Sequence, residues 1–187
     1  MSHSAAAEQL VSVEEYLRLE EASPVKHEYV AGRIYALAGP TKRHNVIVGN
    51  IYRALWEAAE GGPCRLYFAE VKLRAAADVV YYPDVMVACE PEGADAYMED
   101  APCLVIEVVS PTTATIDRRE KLFLYRRLPS LSTYLVVEQE ERRIEHHWRD
   151  ENGAWCLEVA TSGSIPLSCP SGELPLDRVY QGVAFDG

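Results

Sequence analysis

The chain has 187 residues, of which 48% are hydrophobic and 25% are charged, and its formal net charge is −11. This balance predicts one globular domain over residues 1–187, with its core at about residues 10–180. No apolar run approaches a membrane span, residues 1–7 lack the pattern of a signal peptide, and the acidic charge argues against binding nucleic acid by broad phosphate neutralisation. We therefore expect a cytoplasmic protein that does not contact a membrane.

The first half of the chain predicts two helices, a hairpin and three strands. Ser12 fits the N-cap of a helix, because Glu15 follows at the spacing of a capping box. Residues 27–37 predict two strands around Ala31-Gly32, and apolar residues at helical spacing over 44–55 predict a helix that stops near Gly61-Gly62-Pro63. Strands are predicted over residues 65–73, 79–89 and 104–109. The third is apolar enough to be a central strand covered on both faces.

The second half predicts a turn at residues 110–113, an amphipathic helix over 117–128 and an apolar strand over 133–138. An antiparallel pair over 142–148 and 155–160 is expected around Asn152-Gly153. The tail from Gly163 is expected to be irregular, with one short helix near Leu176. The strand–helix–strand order predicts a crossover connection, and hence an α/β fold in which helices cover a sheet.

The five cysteines are scattered singly, without a CxxC pair, and their number is odd. This pattern argues against a structural zinc site and against a disulfide framework. Two of them lie in apolar stretches and are expected to be small core residues. These two are Cys89 and Cys103.

Two carboxylates interrupt apolar strands. Glu107 lies within a run of leucine, valine and isoleucine and shares a strand face with Val105 and Val109. Asp84 follows Pro83 and begins another apolar strand. Each carboxylate alone is explained by a buried salt bridge or a strand-end turn. Together, on consecutive strands, they favour a shared divalent cation such as Mg²⁺, which takes carboxylate and phosphate oxygens.

The helix after the Glu107 strand places Lys121 within its apolar stripe, together with Tyr125. Either Lys121 extends its amine to water, or the ammonium points back over the sheet at the metal site. Asp117, one turn earlier, either complements the start of the helix or pairs with Lys121.

Histidines offer two weaker candidates. His44 is expected to be a core histidine; the alternative is a phosphate contact at a helix start, beside Lys42 and Arg43. His146-His147 lies in a basic stretch that also carries glutamates, and is expected to belong to a solvated edge strand.

These residues resemble the motifs of the Uma2 family over roughly residues 10–180. The downstream motifs are Tyr82-Pro83-Asp84-Val85, Ile106-Glu107-Val108-Val109-Ser110-Pro111-Thr112-Thr113, the set Asp117, Lys121 and Tyr125, Leu128-Pro129-Ser130-Leu131 and Tyr134-Leu135-Val136-Val137. The upstream motifs are Glu28-Tyr29-Val30-Ala31-Gly32-Arg33-Ile34, Arg43-His44-Asn45 and Glu70-Val71-Lys72-Leu73.

The resemblance implies the restriction-endonuclease-like fold of PD-(D/E)XK nucleases, with a mixed central sheet flanked by helices and extra antiparallel strands near the C-terminus. It implies Asp84 and Glu107 as ligands of Mg²⁺ or Mn²⁺, with Glu28 as a further acidic residue. The nuclease pattern has lysine where this chain has Val109, and Lys121 is expected to supply that amine. Glu70 stands where the family more often has aspartate.

The implied activity is metal-dependent hydrolysis of DNA phosphodiesters, with Asp84, Glu107 and Lys121 as catalytic residues and a homodimer as the assembly. The supporting residues are Glu28, Glu70, His44, Asp117 and Tyr125. Two alternatives stay open, which are a nuclease-fold binding module that does not cut and a hydrolase of small phosphoesters.

Overall fold

A computed structural model describes residues 10–109 and 117–185, with the side chains of Asp117 and Arg118 left out. The turn predicted at residues 110–113 lies outside the described residues. Within the two described ranges, no helix is long and apolar enough to cross a membrane.

Helices and strands alternate along the chain. The helices are α1 (Val13–Ala22), α2 (Lys42–Ala59), a π-helical turn (Asp117–Lys121) that continues into α3 (Leu122–Tyr125), and α4 (Leu176–Val179). The strands are β1 (His27–Val30), β2 (Arg33–Ala36), β3 (Arg65–Phe68), β4 (Lys72–Ala76), β5 (Val79–Tyr81), β6 (Val85–Ala88), β7 (Met98–Glu99), β8 (Leu104–Val109), β9 (Thr133–Glu138), β10 (Ile144–Arg149), β11 (Trp155–Ala160), β12 (Ser164–Ser168) and β13 (Ser171–Pro175).

Two larger sheets and a C-terminal hairpin organise these strands. The six-stranded sheet has the order β11-β10-β9-β8-β6-β3, and the five-stranded sheet has the order β2-β1-β5-β4-β7. In the six-stranded sheet β8 and β9 are parallel, whereas the other neighbours are antiparallel. The predicted α/β fold with a mixed sheet, helices on its faces and a crossover between β8 and β9 is confirmed.

The central strand β8 separates two cores. All six of its residues are buried, as predicted for a strand covered on both faces. Leu104, Ile106 and Val108 pack with α2 and the C-terminal hairpin. Val105 and Val109 face the other way, toward α3 and the five-stranded sheet. Glu107 follows the same alternation, so it enters the layer between the two sheets.

Local signals set the helix starts. Ser12 caps α1 by accepting a hydrogen bond from the Glu15 N–H at 3.2 Å, as its spacing predicts. Thr41 caps α2 in the same way, accepting from the His44 N–H at 3.1 Å. The helix predicted over residues 117–128 is present but ends at Tyr125 and begins with a π-helical turn.

Two predicted strands are each divided in the structure. Residues 65–73 form β3 and β4, because Ala69 takes a positive φ of 50° that ends the first strand. Residues 79–89 form β5 and β6, with Tyr82, Pro83 and Asp84 between them. In both places the chain passes from one sheet to the other, which hydrophobic alternation does not reveal.

The prediction of an irregular tail was wrong. Residues 164–175 form the hairpin of β12 and β13, whose Ile165, Leu167 and Leu174 are buried against α2 and the six-stranded sheet. Pro166 inside β12, Pro170 in the turn and Pro175 at the end of β13 disguised it, since Pro is unfavourable inside sheets. The short helix expected near Leu176 is present as α4.

The prediction that His146 and His147 lie on a solvated edge strand was also wrong. Their strand, β10, pairs with β9 on one side and β11 on the other, and both histidines are buried. Burial, followed by the positive charge of His147, lowers the pKa of His146 to about 4. Burial also lowers the pKa of His147.

We expect these histidines to make the fold sensitive to acid. A histidine whose pKa is lower in the folded state adds stability fully above its unfolded pKa of about 6.5, and that stability is lost as the pH falls toward 4. Between about pH 7.5 and pH 5, His146 contributes a loss of about 2 kcal/mol in the free energy of unfolding. Urea denaturation measures it, and His146→Gln should remove most of this difference. An equally steep acid dependence in the variant contradicts the assignment.

The prediction against a disulfide framework was wrong as well. Cys64 is bonded to Cys89, and Cys103 is bonded to Cys169. Three of these residues flank strands of the six-stranded sheet at the same end, and Cys169 lies in the turn between β12 and β13. Cys89 and Cys103 do pack against the core, as expected.

Candidate metal and catalytic site

Lys121 lies where the two sheets meet. Its ammonium nitrogen is 2.9 Å from Glu28 Oε1 and 3.2 Å from Glu107 Oε1, and the side chain is only 8% exposed. Glu28 comes from β1 of the five-stranded sheet, and Glu107 from β8 of the six-stranded sheet. The alternative in which this lysine extends to water is therefore wrong.

Glu107 is 4% exposed and has two hydrogen-bond donors on one oxygen. Its Oε1 accepts from the Tyr125 hydroxyl at 2.8 Å and from Lys121 Nζ at 3.2 Å. Both donors come from the helical segment after β8, one turn apart, as the helical spacing predicts. The contact between Glu107 and Lys121 is the buried salt bridge that the sequence offered as one explanation of this carboxylate.

Asp84 stands at the start of β6, beside Glu107. Val85 of β6 pairs with Ile106 of the antiparallel strand β8. Asp84, the residue before Val85, therefore lies opposite Glu107, the residue after Ile106. Asp84 Oδ2 accepts a hydrogen bond from the Val108 N–H at 2.7 Å, and Oδ1 is 3.2 Å from His44 Nε2. The strand-end position expected for this aspartate is confirmed, and its carboxylate is fixed on both oxygens.

His44 joins the site through Asp84 rather than through the core. Its side chain is 16% exposed, its Nε2 faces Asp84, and its Nδ1 is buried without a hydrogen-bond partner among the described residues. A core histidine with satisfied nitrogens is therefore a wrong description. The residue lies in the first turn of the 18-residue helix α2, so its contact brings the start of this helix near the aspartate.

Aromatic rings surround Lys121 and Glu107. The Tyr125 ring makes edge contacts with Tyr81 at 5.8 Å and Tyr134 at 5.2 Å between ring centroids, and Lys121 Nζ lies 5.0 Å from the centroid of Tyr81. Burial, then the charge of Glu107, raises the pKa of Tyr125 well above its usual value, so the phenol stays a neutral donor. Sequence reasoning missed Tyr81, because in an apolar strand it resembles any core residue.

The remaining predicted residues have different outcomes. Glu28 joins the cluster, as the family resemblance implies. Glu70 lies on a turn between β3 and β4 with its side chain 70% exposed, and it pairs with Lys26 at 2.5 Å rather than with the cluster. Asp117 begins the π-helical turn, and the prediction for its side chain lies outside the described residues.

Access to the cluster differs from one side to the other. Glu107 and Lys121 are nearly enclosed, whereas Asp84 is 18% exposed and His44 16%. Two surface clefts lie elsewhere, one of about 380 Å³ beside His146 and Trp148 and a small one beside Glu99. Among these described residues, the side of the cluster at Asp84 and His44 is the more exposed one.

The donor set fits a hard divalent cation in type. Glu28, Asp84 and Glu107 supply anionic oxygens, and Glu28 Oε1 is buried and pairs with Lys121 without hydrogen-bond geometry. In the part of the chain that the structure describes, the carboxylate oxygens of Glu28, Asp84 and Glu107 do not all lie within 4.8 Å of one another. Mg²⁺ usually takes one or two carboxylates besides water and phosphate oxygens, and the predicted pair of Asp84 and Glu107 matches that number.

We predict that Tyr125→Phe destabilises the fold by about 2 kcal/mol, because it removes a buried hydrogen bond to a charged carboxylate. Chemical denaturation at neutral pH measures this change. Tyr97→Phe is the matched control, since the Tyr97 ring is exposed. Equal stability of the two variants contradicts a structural role for the Tyr125 hydroxyl.

Comparisons with known proteins agree with this architecture. A family model, Uma2, described as "Putative restriction endonuclease", matches residues 13–175. The chain is 34% identical over 178 residues to the uncharacterized protein slr1290 of Synechocystis, covering 94% of each chain. It is 31% identical over 156 residues to sll1609 of the same organism, covering 81% of this chain and 88% of that one.

A solved structure shares the fold. A crystal structure from Anabaena variabilis, described as "a putative nuclease belonging to DUF820", superposes with a TM-score of 0.75 at 17% sequence identity. The match covers 93% of this chain and 99% of the other. At this identity the likeness concerns the fold alone.

Proposed function

We propose that this chain, which belongs to the Uma2 family, is a metal-dependent nuclease that hydrolyses phosphodiester bonds of DNA. Its family and fold are those of restriction-endonuclease-like nucleases. The observation that supports cutting is the buried Lys121 ammonium held against Glu107, beside the half-buried carboxylate of Asp84. This arrangement sets a positive charge and two carboxylates, the ligand type that Mg²⁺ prefers, at the junction of the two sheets.

Each residue then has a distinct role. Asp84 and Glu107 would hold Mg²⁺ or Mn²⁺, which supplies an activated water and neutralises charge on the scissile phosphate. Lys121 stabilises negative charge that develops on phosphate oxygens in the transition state, in place of the lysine absent at position 109. Glu28 orients the Lys121 ammonium, and the Tyr125 hydroxyl orients the Glu107 carboxylate by donating to its Oε1.

The approach of the substrate follows from the exposure of the site. A phosphate group that reaches Asp84 also meets the N-terminus of α2, where backbone N–H groups favour anions. His44 faces this approach, and the exposed Lys42 lies two residues before it. Local cations of this kind let a chain with a net charge of −11 bind a polyanion.

The direct test is cleavage by the purified protein. Supercoiled, linear and single-stranded DNA and an RNA are incubated with Mg²⁺, with Mn²⁺ and with a chelator. We expect cleavage of DNA that needs the divalent cation, and an Asp84→Asn preparation made in parallel controls for contaminating nucleases. Absence of cleavage of every nucleic acid, while a known nuclease cuts under the same conditions, overturns the proposal.

One observation favours the alternative of a nuclease-fold binding module that does not cut. Lys121 already pairs with both Glu28 and Glu107 and offsets one of their two negative charges, so part of the charge that a metal ion would neutralise is neutralised by the protein itself. Titration calorimetry separates the two functions. Divalent-cation binding that disappears in Asp84→Asn supports the nuclease, whereas a wild-type chain that binds nucleic acid but no cation supports the module.

A homodimer is the assembly that we propose for cutting both strands of a duplex, since closed two-fold pairing is the commonest oligomer. Sedimentation equilibrium of the purified chain tests this assembly independently of activity.

A further inference from the structure

Four sulfur atoms gather at one end of the six-stranded sheet. Cys89 Sγ is bonded to Cys64 and lies 3.0 Å from Cys169 Sγ and 3.6 Å from Cys103 Sγ. The sulfurs of Cys64, Cys89 and Cys169 all lie within 4.8 Å of one another, and Cys103 is bonded to Cys169. The two disulfides are therefore not separate crosslinks but a single cluster.

The fold explains why residues so distant in sequence meet. Cys64 precedes β3, Cys89 follows β6 and Cys103 precedes β8. Because these neighbouring strands are antiparallel, all three cysteines lie at the same end of the six-stranded sheet. The backbone of Cys103 is held by its N–H to the Val87 carbonyl at 2.8 Å and by its carbonyl, which accepts from Ser132. The fourth sulfur belongs to Cys169, which lies in the turn between β12 and β13.

We propose that in the reduced chain these four cysteines form a tetrathiolate site for one soft divalent cation of the zinc class. Sulfur atoms around a tetrahedral zinc are about 3.8 Å apart, given Zn–S distances of about 2.3 Å. The separations of 3.0 and 3.6 Å at Cys89 are close to this spacing. Reduction of the two S–S bonds frees each bonded pair to open to the same spacing by side-chain rotation, which completes the coordination sphere.

The surroundings of the cluster suit such an ion. All four cysteines are partly buried, which leaves a path for a metal, and they pack against the core on one side. Thiolates, rather than thiols, are the form that binds metal, and binding of the metal releases their protons.

The disulfides in the structure are the oxidised, metal-free form of the same site. Two molecules of a dithiol reductant convert the two disulfides to four thiols, and each molecule is itself oxidised to one disulfide. Binding of the cation then releases four protons. In the reverse direction two molecules of hydrogen peroxide take four electrons from the four thiolates. With four protons they become four waters, while two disulfides form and the cation leaves.

Cobalt titration of the reduced, oxygen-free chain tests the site. Co²⁺ bound by thiolates gives a sulfur-to-cobalt charge-transfer absorption that carboxylate ligands do not give. We expect this signal to saturate at one cobalt per chain, to be reversed by Zn²⁺, and to persist in Asp84→Asn. The last result separates this site from the carboxylate cluster, so either proposal can fail without the other.

Serine substitutions provide the contrast. Cys89→Ser is expected to weaken cobalt binding at least about 100-fold and to lower the charge-transfer signal. Cys156→Ser, which changes the one cysteine outside the cluster, is expected to behave as wild type. If Cys89→Ser fails to fold, Cys169→Ser in the hairpin turn takes its place. No charge-transfer signal in the reduced wild-type chain, or an equal loss in Cys156→Ser, overturns the proposal.

Discussion

Glu107→Gln is expected to reduce DNA cleavage at least about 1000-fold, because the amide cannot replace a carboxylate as a ligand of a hard cation. A loss of this size corresponds to about 4 kcal/mol of transition-state stabilisation. The substitution keeps an oxygen that accepts from Tyr125, and Glu28 still faces Lys121, so the fold is expected to persist. Single-turnover cleavage with saturating Mn²⁺ measures the effect, and circular dichroism checks the fold.

The matched control for this experiment is Glu173→Gln. Glu173 is exposed on β13 and takes no part in the cluster, so the same change of charge there should leave the cleavage rate unaltered. A Glu107→Gln variant that folds and cuts at the wild-type rate would falsify the assignment of Glu107 as a metal ligand. Loss of cleavage in both variants would mean that overall charge, rather than the site, is being measured.

Lys121→Met is expected to destabilise the folded chain by about 3 to 5 kcal/mol, because it leaves the carboxylates of Glu28 and Glu107 buried without this ammonium. Thermal and urea denaturation measure the loss. If the cluster also binds a divalent cation, Mn²⁺ should restore part of the stability by taking the place of the ammonium. Cleavage is expected to fall about 100-fold, the usual effect of removing one charge-stabilising donor.

Lys26→Met is the comparison for this stability effect. Lys26 pairs with Glu70 near the surface at 2.5 Å, and exposed pairs of this kind contribute less than about 1 kcal/mol. A similar, small loss in both lysine variants contradicts the view that Lys121 organises the junction of the sheets. A large loss at Lys121 that Mn²⁺ leaves unchanged supports the ion pair and argues against the metal.

The prediction for β8 succeeded because a local pattern carried it. Five apolar residues in a run of six, interrupted only by Glu107, predicted both a buried central strand and an unusual carboxylate on it, and alternation predicted its face. The helical spacing after it predicted that Lys121 and Tyr125 point the same way. Those residues are close in sequence, so their relative placement needs little more than helix and strand geometry.

The failures occur where distant segments decide. Tyr82 to Asp84 read as part of one strand, but there the chain crosses between sheets, and this crossing positions the Asp84 carboxylate against Val108 and His44. The hairpin of β12 and β13 was missed because its pairing and packing, not its composition, make it a hairpin. Glu70, matched by motif alone, pairs instead with Lys26 on the surface.

The sequence by itself determined the α/β class, the buried strand with its carboxylate, and the lysine and tyrosine that follow it on a helix. Only the tertiary structure decided that Lys121 pairs with Glu28 and lies over the ring of Tyr81. It also decided that four cysteines between positions 64 and 169 meet at one end of the six-stranded sheet. The physical reason is the range of the interactions. Hydrophobic periodicity depends on residues that are close in sequence. Ion pairs between sheets and clusters of sulfur atoms depend on strand order and register, which no local pattern encodes.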